Sequence, residues 1–457
     1  MLLKVKGNNT VFESFTGLYQ GEVTSPIFFS FFINDLENHN FNKDGGIPIF
    51  NIFIQLLMFA DDMVIFDRTI EGLQKSLDRL HKYCKKWGIT VNTIKTKVVV
   101  FRKGGAIGKK CIWHYGDVLL EVVPFFKYLG VFVSSGGSFS HNIKESVNKA
   151  RRAMFTLNRI FAKNKELLPK MKINLFNILI VPILSYGCEV WGFCIADPIE
   201  KFHLSFLKSV LNVKKSTPNC FVYGELGVYP LSLHRKIRIF KYWVKIVNSN
   251  EKTFIKQMYK ELVSQSILQP MTKTWVTLFK DLLYSVGLGE FWEYQGLINP
   301  KYLVKEFSQR LIDNYDQEWS TEVEKTTQHR LYKHIKFDFC FEQYLNMSNS
   351  AFRASITKIR LSSHLFHVER GRWGKKLDLK DRVCPVCNVI EDEFHCFIEC
   401  PCFVELRKGL LPINLKKCPS MFNFIDYFRC DKEENFHKMG LLCHTILKKH
   451  KKMLLDS

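Results

Sequence analysis

Two adjacent aspartates, Asp61 and Asp62, lie between two short apolar runs, residues 54–59 and 63–66. If these runs pair as a hairpin, the two carboxylates meet at its tip, where a divalent cation relieves their mutual repulsion. Carboxylate-bound Mg²⁺ can activate a hydroxyl nucleophile and neutralise a leaving pyrophosphate, so the pattern suits nucleotidyl transfer. The alternative is a solvated turn, which is the usual role of an Asp-Asp pair in a loop when the pair is taken alone.

Four residues near the carboxyl terminus have the spacing of a zinc site: Cys384, Cys387, His395 and Cys400. The C-x2-C-x7-H-x4-C pattern offers three thiolates and one imidazole, which suit tetrahedral Zn²⁺. Cys396 and Cys402 fall in the same stretch, so the choice of ligands stays open. Buried or free cysteines in a reducing cell are the alternative interpretation.

Residues 353–382 form a basic stretch with nine Lys or Arg and three Asp or Glu, a local charge of +6. Phe352, Phe366 and Trp373 are interleaved with it. Because cations contact phosphates and aromatic rings stack on bases, the stretch favours RNA or single-stranded DNA as a ligand. A solvated helix face is the alternative. The later Lys448-Lys449-His450-Lys451-Lys452 run is open to three interpretations: nucleic-acid contact, nuclear import, or a tail that is kept soluble by its charge.

The elements that position these residues are both helical and extended. Residues 69–88 repeat apolar side chains every three or four positions, which predicts a helix with Thr69 as N-cap and Gly88 as its stop. Residues 97–101 and 128–133 are rich in β-branched or aromatic side chains and predict strands.

From about residue 141 onward the apolar pattern becomes helical, most clearly over residues 143–160 and 170–180. Strand-like runs are therefore concentrated in the first part of the chain and helices in the rest. The expected fold class is α+β.

Composition narrows the classes of partner. The chain has 457 residues, 46% hydrophobic, with 66 Lys or Arg against 44 Asp or Glu, a net charge of +22. This balance favours a polyanion, either nucleic acid or an anionic membrane surface. Residues 173–196 are too interrupted to span a bilayer, and residues 1–24 lack a signal-peptide pattern. We expect an intracellular protein, nuclear or cytoplasmic and not secreted, with no membrane partner.

Several motifs occur in a fixed order along the chain. They are Gly17-Leu18-Tyr19-Gln20-Gly21-Glu22-Val23-Thr24-Ser25-Pro26 with Phe32-Ile33-Asn34-Asp35-Leu36, then Phe59-Ala60-Asp61-Asp62, then Trp87-Gly88 with Asn92 and Lys95-Thr96, then Tyr128-Leu129-Gly130, and finally Pro182-Ile183-Leu184-Ser185-Tyr186-Gly187 with Val190-Trp191. This series resembles the reverse transcriptases of non-LTR (LINE-type) retrotransposons. Members of that family often carry a Cys/His cluster after the polymerase, which resembles the zinc-like spacing above.

The resemblance implies roles for the residues at the hairpin. Asp61 would be the main ligand of Mg²⁺ or Mn²⁺, with Asp62 as its less directly coordinating neighbour. The residues bordering the incoming nucleotide would be Gln20, Gly21, Phe59 and Ala60. The implied activity is RNA-templated DNA synthesis, with template RNA and primer DNA as partners.

Two further sites follow from the same resemblance. Lys95 would lie near the polyphosphate, although a surface lysine is an equally good reading. The primer would be gripped by Tyr128, Leu129 and Gly130. For Tyr128, packing in the core is the alternative.

The chain departs from the family in one catalytic group. The resemblance implies a third carboxylate in an earlier motif, whereas the first aspartate of this chain is Asp35. Met1 is therefore expected to lie inside the palm of an N-terminally truncated enzyme. Because two close Mg²⁺ ions need bridging negative charge, we expect the isolated chain to have little or no polymerase activity. A partner chain that supplies the missing palm and fingers is possible.

The expected organisation has four parts. These are a partial reverse transcriptase palm (1–134), a thumb-like helical region (135–195), a mostly helical connecting region (196–345) and a basic, zinc-binding carboxyl-terminal region (346–457). The alternative to an impaired polymerase is a non-catalytic nucleic-acid-binding protein that uses the basic and zinc-binding region.

Overall fold

The computed structural model describes residues 2–5, 8–11, 22–36, 45–49, 52–106, 108, 111–269, 272–295, 299–326, 331–372, 376–429 and 433–456. The chain forms two compact units, Met1–Ser138 with Gln257–Leu268, and Phe139–Lys256 with Gln269–Ser457. The described strands lie in the first unit, and the second is mostly helical. This mixture agrees with the predicted α+β class, whereas the predicted boundaries at 134, 195 and 345 stay predictions.

The strands of the first unit are short and pair in twos. They are β1 (Leu2–Val5), β2 (Asn8–Val11), β3 (Ile47–Ile49), β4 (Ile52–Ile54), β5 (Leu56–Phe59), β6 (Asp62–Ile65), β7 (Lys97–Val98), β8 (His114–Tyr115), β9 (Val118–Leu119), β10 (Glu121–Val122), β11 (Phe125–Tyr128) and β12 (Val131–Ser134). β7 and β10 are parallel, and the other described pairs are antiparallel hairpins, β1–β2, β3–β4, β5–β6, β8–β9 and β11–β12.

Two predicted strands are wrong in extent. The strand expected over residues 97–101 covers only β7, because its partner β10 pairs with Lys97 and Val98 alone. Beyond this strand, Arg102 N donates to Ser135 O at 2.9 Å. The strand expected over residues 128–133 is broken by a reversal at Leu129 and Gly130, whose φ angles are 44° and 85°. Turns with two positive φ values match the twist of a hairpin, so β11 and β12 pair.

Among the described residues before Ser138, the first unit has two helices, α1 (Ser25–Phe32) and α2 (Ile70–Trp87). The predicted helix over residues 69–88 is confirmed as α2. Thr69 Oγ1 accepts a hydrogen bond from Gly72 N at 2.9 Å, and Gly88 ends the helix at a φ of 66°. Its apolar face is buried in a core that contains Leu77, Leu80, Tyr83, Cys84, Val98 and Trp113.

The second unit is a succession of helices. They are α3 (Ser140–Lys163), α4 (Pro169–Leu179), α5 (Val181–Leu184), α6 (Cys188–Trp191), α7 (Asp197–Leu211), α8 (Asn219–Leu226), α9 (Leu231–Val247), α10 (Phe254–Leu268, continuing into the first unit), α11 (Trp275–Ser285), α12 (Gly289–Tyr294), α13 (Pro300–Lys325), α14 (Tyr332–Ile335), α15 (Ser350–Arg360), α16 (His367–Arg370), α17 (Val404–Arg407), α18 (Ile413–Lys417), α19 (Met421–Arg429) and α20 (Phe436–Asp456). The helices predicted over residues 143–160 and 170–180 are confirmed as α3 and α4.

Aromatic stacking holds the middle of the second unit together. The Phe240 ring of α9 stacks on the Phe307 ring of α13 with centroids 3.9 Å apart, and Trp243 packs against Phe279 at 4.8 Å. Such buried rings contribute both apolar area and pairwise attraction. No helix in the described part of the chain is long and apolar enough to cross a bilayer.

Candidate functional site

Asp61 and Asp62 lie at the tip of the β5–β6 hairpin. The strands pair in the register Leu56 to Ile65 and Phe59 to Asp62, which leaves Ala60 and Asp61 as a two-residue turn. Ala60 has a φ of 51°, the positive value that such tight turns require. Both aspartates are exposed, as is 63% of Phe59. The predicted hairpin is thus confirmed, with Asp62 as the first residue of β6 and not part of the turn.

The primer-grip candidates lie at the tip of a second hairpin. Tyr128 ends β11 and pairs with Val131, so Leu129 and Gly130 form the turn itself. The pKa of the Tyr128 phenol is raised, first by burial and then by the charge of Asp62. The structure therefore brings Tyr128 within electrostatic range of the aspartate pair, a proximity that spacing in the sequence does not reveal.

Lys95 occupies an exposed turn that leads into β7. Its backbone N–H donates to Asn92 Oδ1 at 3.1 Å, and Thr96 N donates to Asn92 O at 3.0 Å. Among the described residues Lys95 forms no ion pair with Asp61 or Asp62. Its position near a polyphosphate stays a prediction.

The ligand set of the aspartate pair is small. In the described part of the chain, no third carboxylate, imidazole or thiol groups with Asp61 and Asp62 as a metal cluster would require. Carboxylates suit Mg²⁺ by type, but two of them supply few of the oxygen ligands that the ion needs. The predicted nucleotide-pocket residues Gln20 and Gly21 lie outside the described residues.

The predicted zinc ligands do come together in space. The ligand atoms of Cys384, Cys387, His395 and Cys400 all lie within 4.8 Å of one another. The Cys387 and Cys400 sulfurs are 3.8 Å apart, a separation expected across a tetrahedral Zn–S₂ angle. Cys396 and Cys402, which spacing alone left as alternatives, are not members of this group.

Local backbone structure shapes the four-residue cluster. Cys384 N donates to Val389 O at 2.7 Å, and Asn388 takes a positive φ of 55°, so the first two cysteines share a tight turn. Residues His395–Glu399 form one π-helical turn that presents His395 to the thiols. Arg407 donates from Nη2 to Cys396 O at 3.1 Å and also bonds the carbonyls of Ile398 and Cys400, which secures that turn.

His395 is held as a ligand would be. Its Nδ1 lies 3.2 Å from Glu399 Oε2, while its buried Nε2 has no hydrogen-bond partner among the described residues. A carboxylate on one ring nitrogen fixes the tautomer and leaves the other nitrogen free for a metal. Burial, and to a smaller extent the Cys384 sulfur, raise the pKa of Cys400, so a bound cation would be needed to stabilise its thiolate. The donor set therefore fits Zn²⁺.

Sequence analysis missed a second contact beside this cluster. Glu391 Oε2 lies 2.7 Å from His367 Nδ1 and 3.1 Å from His450 Nε2, with Glu391 and His450 buried. Burial opposes ionisation, but the hydrogen bonds and charges of His450 and His367 lower the pKa of the Glu391 carboxyl. Glu391 thus fastens α16 and α20 to the segment that contains the cysteines. The sequence signal for this contact is the acidic run Glu391-Asp392-Glu393 before His395.

Part of the basic stretch 353–382 is used inside the fold. Arg353 and Arg360 are buried, and Arg382 donates to Val368 O and Leu377 O. Phe366 is also buried, and Trp373 lies outside the described residues. The interpretation of this stretch as contacting RNA or single-stranded DNA is therefore wrong for Arg353 and Arg360, whose guanidinium groups are occupied by protein partners.

The aspartate hairpin lies within a segment of the chain that matches a known protein family. Residues 1–133 match the family model described as reverse transcriptase (RNA-dependent DNA polymerase). The chain is 22% identical over 212 residues to the RNA-directed DNA polymerase from mobile element jockey of Drosophila melanogaster. The aligned residues cover 43% of this chain and 22% of that protein.

Two other relatives give the same picture. A probable RNA-directed DNA polymerase from transposon X-element of Drosophila melanogaster is 22% identical over 49% of this chain and 23% of its own length. The Pol polyprotein from type-1 retrotransposable element R2 of Bradysia coprophila is 21% identical over 49% of this chain and 26% of its own length. The chain thus spans about a quarter or less of these relatives. It carries a reverse transcriptase domain of retrotransposon origin, and the resemblance to the reverse transcriptases of non-LTR mobile elements is confirmed.

Proposed function

We propose that the β5–β6 hairpin is a nucleotidyl-transfer site for RNA-templated DNA synthesis, and that the chain alone performs this reaction weakly or not at all. The observation that carries the proposal is the exposure of two adjacent carboxylates, Asp61 and Asp62, at a tight hairpin tip within the segment that matches the reverse transcriptase family. Polymerisation needs carboxylates that are fixed relative to one another and open to a nucleotide and a primer end.

The hairpin gives the carboxylates a defined position. Because the Phe59–Asp62 pair closes the turn, the β5–β6 ladder fixes the backbone at Asp61 and Asp62. These two residues would hold Mg²⁺ or Mn²⁺ by carboxylate oxygens. When bound, such an ion would activate the primer 3′-hydroxyl and offset the charge of the departing pyrophosphate.

Other residues have proposed roles around the hairpin. Tyr128, with Leu129 and Gly130 beside it, would contact the primer next to Asp62. Lys95, on an exposed turn, would neutralise polyphosphate charge. Gln20, Gly21, Phe59 and Ala60 would border the nucleotide. Template RNA and primer DNA are the proposed substrates.

Weak activity is proposed because two carboxylates carry too little negative charge to hold two divalent cations close together. Two closely spaced divalent cations repel strongly unless carboxylates bridge them, and the described residues offer only Asp61 and Asp62 at this point. A second polypeptide that adds a carboxylate would supply the missing charge.

The carboxyl-terminal cluster would bind Zn²⁺ through Cys384, Cys387, His395 and Cys400 as a structural site.

Primer extension tests the proposal. The purified chain is given an RNA template, a labelled DNA primer and nucleotides in Mg²⁺ and in Mn²⁺, next to Asp61→Ala and Asp62→Ala. Asp117→Ala, which alters an exposed carboxylate of the β8–β9 turn, is the matched control. We expect faint product at most, lost in both hairpin variants and kept in the control. Product that persists in Asp61→Ala would refute the site, and robust product lost in Asp61→Ala would refute the impairment.

A further inference from the structure

The outward face of α3 combines exposed cations with one exposed aromatic ring. The opposite face packs into the second unit through Ile143, Val147, Ala150, Met154 and Leu157. The exposed face carries Lys144, Arg151, Arg152, Phe155, Arg159 and Lys163. We call these six residues the α3 face.

The spacing aligns these side chains along the helix. Arg151, Phe155, Arg159 and Lys163 follow one another at four-residue intervals, so each lies one turn beyond the last. From Lys144 to Lys163 the face extends about 28 Å, at about 1.5 Å of rise per residue. Phe155, near its centre, is 69% exposed.

No carboxylate among the described residues neutralises the cations of the α3 face. Within the described ranges, none of them forms an ion pair with a carboxylate, and Arg151 has only a long 3.5 Å contact from Nη1 to Asn148 Oδ1. The one acidic residue of α3, Glu145, accepts a hydrogen bond from Asn148 Nδ2 at 3.1 Å. Five cations on one face repel one another, and a polyanion relieves that repulsion.

We propose that the α3 face binds single-stranded nucleic acid, with its cations on successive phosphates and an unpaired base stacked on Phe155. A base can stack on an exposed ring only if its own face is free, which excludes the interior bases of a duplex. An anionic membrane would contact the cations as well, but it favours several inserted apolar side chains, and this face presents one. The proposal rests on none of the hairpin residues and holds whether or not the chain polymerises.

Stacking is tested with two probes of equal charge. The first is a fluorescein-labelled 20-nucleotide single-stranded RNA, and the second is a strand of the same length with abasic sugars. Phe155→Leu keeps an apolar side chain but removes the ring, so affinity for the base-bearing strand should fall roughly tenfold while affinity for the abasic strand stays constant. Phe422→Leu, which changes a helical Phe of similar exposure at 72%, is the matched control and should change neither affinity.

Phosphate contact is tested by the salt dependence of binding. Arg151→Gln with Arg159→Gln should weaken binding to both probes and reduce the slope of log affinity against log salt by about 1.4, since each phosphate contact on a single strand contributes about 0.7. Lys301→Gln with Lys305→Gln, on exposed positions of α13, removes the same charge elsewhere and should leave the slope nearly constant.

Three results would overturn the proposal. The first is equal loss for both probes in Phe155→Leu, and the second is an unchanged salt slope in the arginine variant. The third is binding of the chain to phosphatidylserine vesicles without binding to either strand. Because these are equilibrium measurements without nucleotides, a silent primer-extension assay has no bearing on their outcome.

Discussion

The guanidinium of Arg360 and the carboxylate of Glu225 form an ion pair in the core of the second unit, with Nε 2.7 Å from Oε1 and neither side chain exposed. Tyr344 OH donates to the same Glu225 oxygen at 2.7 Å, and Glu342 Oε2 lies 3.1 Å from Arg360 Nη2. Lys336 Nζ contacts Glu342 in turn. Two carboxylates and two cations thus balance one another, and they join α8 to α15 through groups that cannot be solvated separately.

Removing one partner of this pair should destabilise the second unit strongly. Arg360→Met has a similar length but no charge, so it leaves Glu225 buried opposite an apolar side chain. We expect a loss of about 3–5 kcal/mol in the free energy of unfolding, measured by urea denaturation of the full chain.

The control for this variant is Arg370→Met, which changes an exposed arginine of α16 and should shift stability by less than about 0.5 kcal/mol. The double variant Glu225→Leu with Arg360→Met removes both charges and should recover part of the loss. A loss below about 1 kcal/mol in Arg360→Met would mean that water reaches the pair.

His203 makes the second unit sensitive to acid. The side chain is 1% exposed, its ring stacks on Phe176 with centroids 5.5 Å apart, and burial lowers its pKa to about 3. In the unfolded chain the imidazole binds a proton below about pH 6.5, whereas the folded chain resists protonation down to about pH 3. This contribution to stability is therefore present above pH 6.5 and falls as the pH drops, by about 2 kcal/mol at pH 5.

His203→Phe keeps a flat ring and removes the titration, so we expect a shallower decrease of unfolding free energy between pH 7 and pH 5 than in the unaltered chain. Phe206→Leu, which disturbs the same aromatic cluster without removing a titratable group, should lower stability by a similar amount at every pH. Parallel pH profiles for His203→Phe and the unaltered chain would contradict a buried neutral imidazole.

Metal removal should unfold the carboxyl-terminal cluster. We expect one zinc per chain by elemental analysis, lost in Cys384→Ser and in His395→Gln, with a lower unfolding temperature after chelation. Because protons compete for the thiolates and burial raises the pKa of Cys400, zinc affinity should fall as the pH is lowered. Glu399→Gln should weaken binding by about tenfold, since its carboxylate orients His395.

The control for the zinc variants is Cys402→Ser, which alters a cysteine of the same stretch that is not a member of the four-residue group. It should retain zinc and unfold at the same temperature. Zinc loss in Cys402→Ser together with retention in Cys384→Ser would reassign the ligands.

Whether a feature can be predicted from the sequence depends on how far apart in the chain its interacting residues lie. Helix α2 follows from Thr69, Gly88 and the apolar repeat between them, all of which act within a few residues. The spacing of Cys384, Cys387, His395 and Cys400 is similarly local, because one turn and one π-helical turn position these four candidate ligands. These features were predictable from the sequence.

Long-range pairings were not predictable in this way. Arg360 belongs to a basic stretch that favours a nucleic-acid ligand, whereas its actual ion-pair partner, Glu225, lies 135 residues away in the sequence. The positive φ of Leu129 was missed for a different reason, since a leucine rarely adopts that conformation and β-branched neighbours favour an uninterrupted strand.

The proximity of Tyr128 to Asp62 can be tested without any polymerase activity. Burial is the larger cause of the raised pKa of Tyr128, and the Asp62 carboxylate adds to it because a second negative charge disfavours the phenolate. Asp62→Asn should therefore lower the pKa of Tyr128 without fully restoring its ordinary value. Titration of the full chain with ¹³Cζ-labelled tyrosine, observed by NMR, measures this change. Asp117→Asn is the matched control and should leave the pKa of Tyr128 unaltered.

The same signal reports cation binding at the hairpin. A divalent cation on Asp62 cancels the charge that opposes ionisation of Tyr128, so added Mg²⁺ should lower the pKa of Tyr128 in the unaltered chain and have a smaller effect in Asp62→Asn. An equal response to Mg²⁺ in both proteins would show that the ion acts elsewhere. A pKa of Tyr128 that is unchanged by Asp62→Asn would mean that the β11–β12 turn does not lie beside the aspartates, and the proposed primer contact would lose its basis.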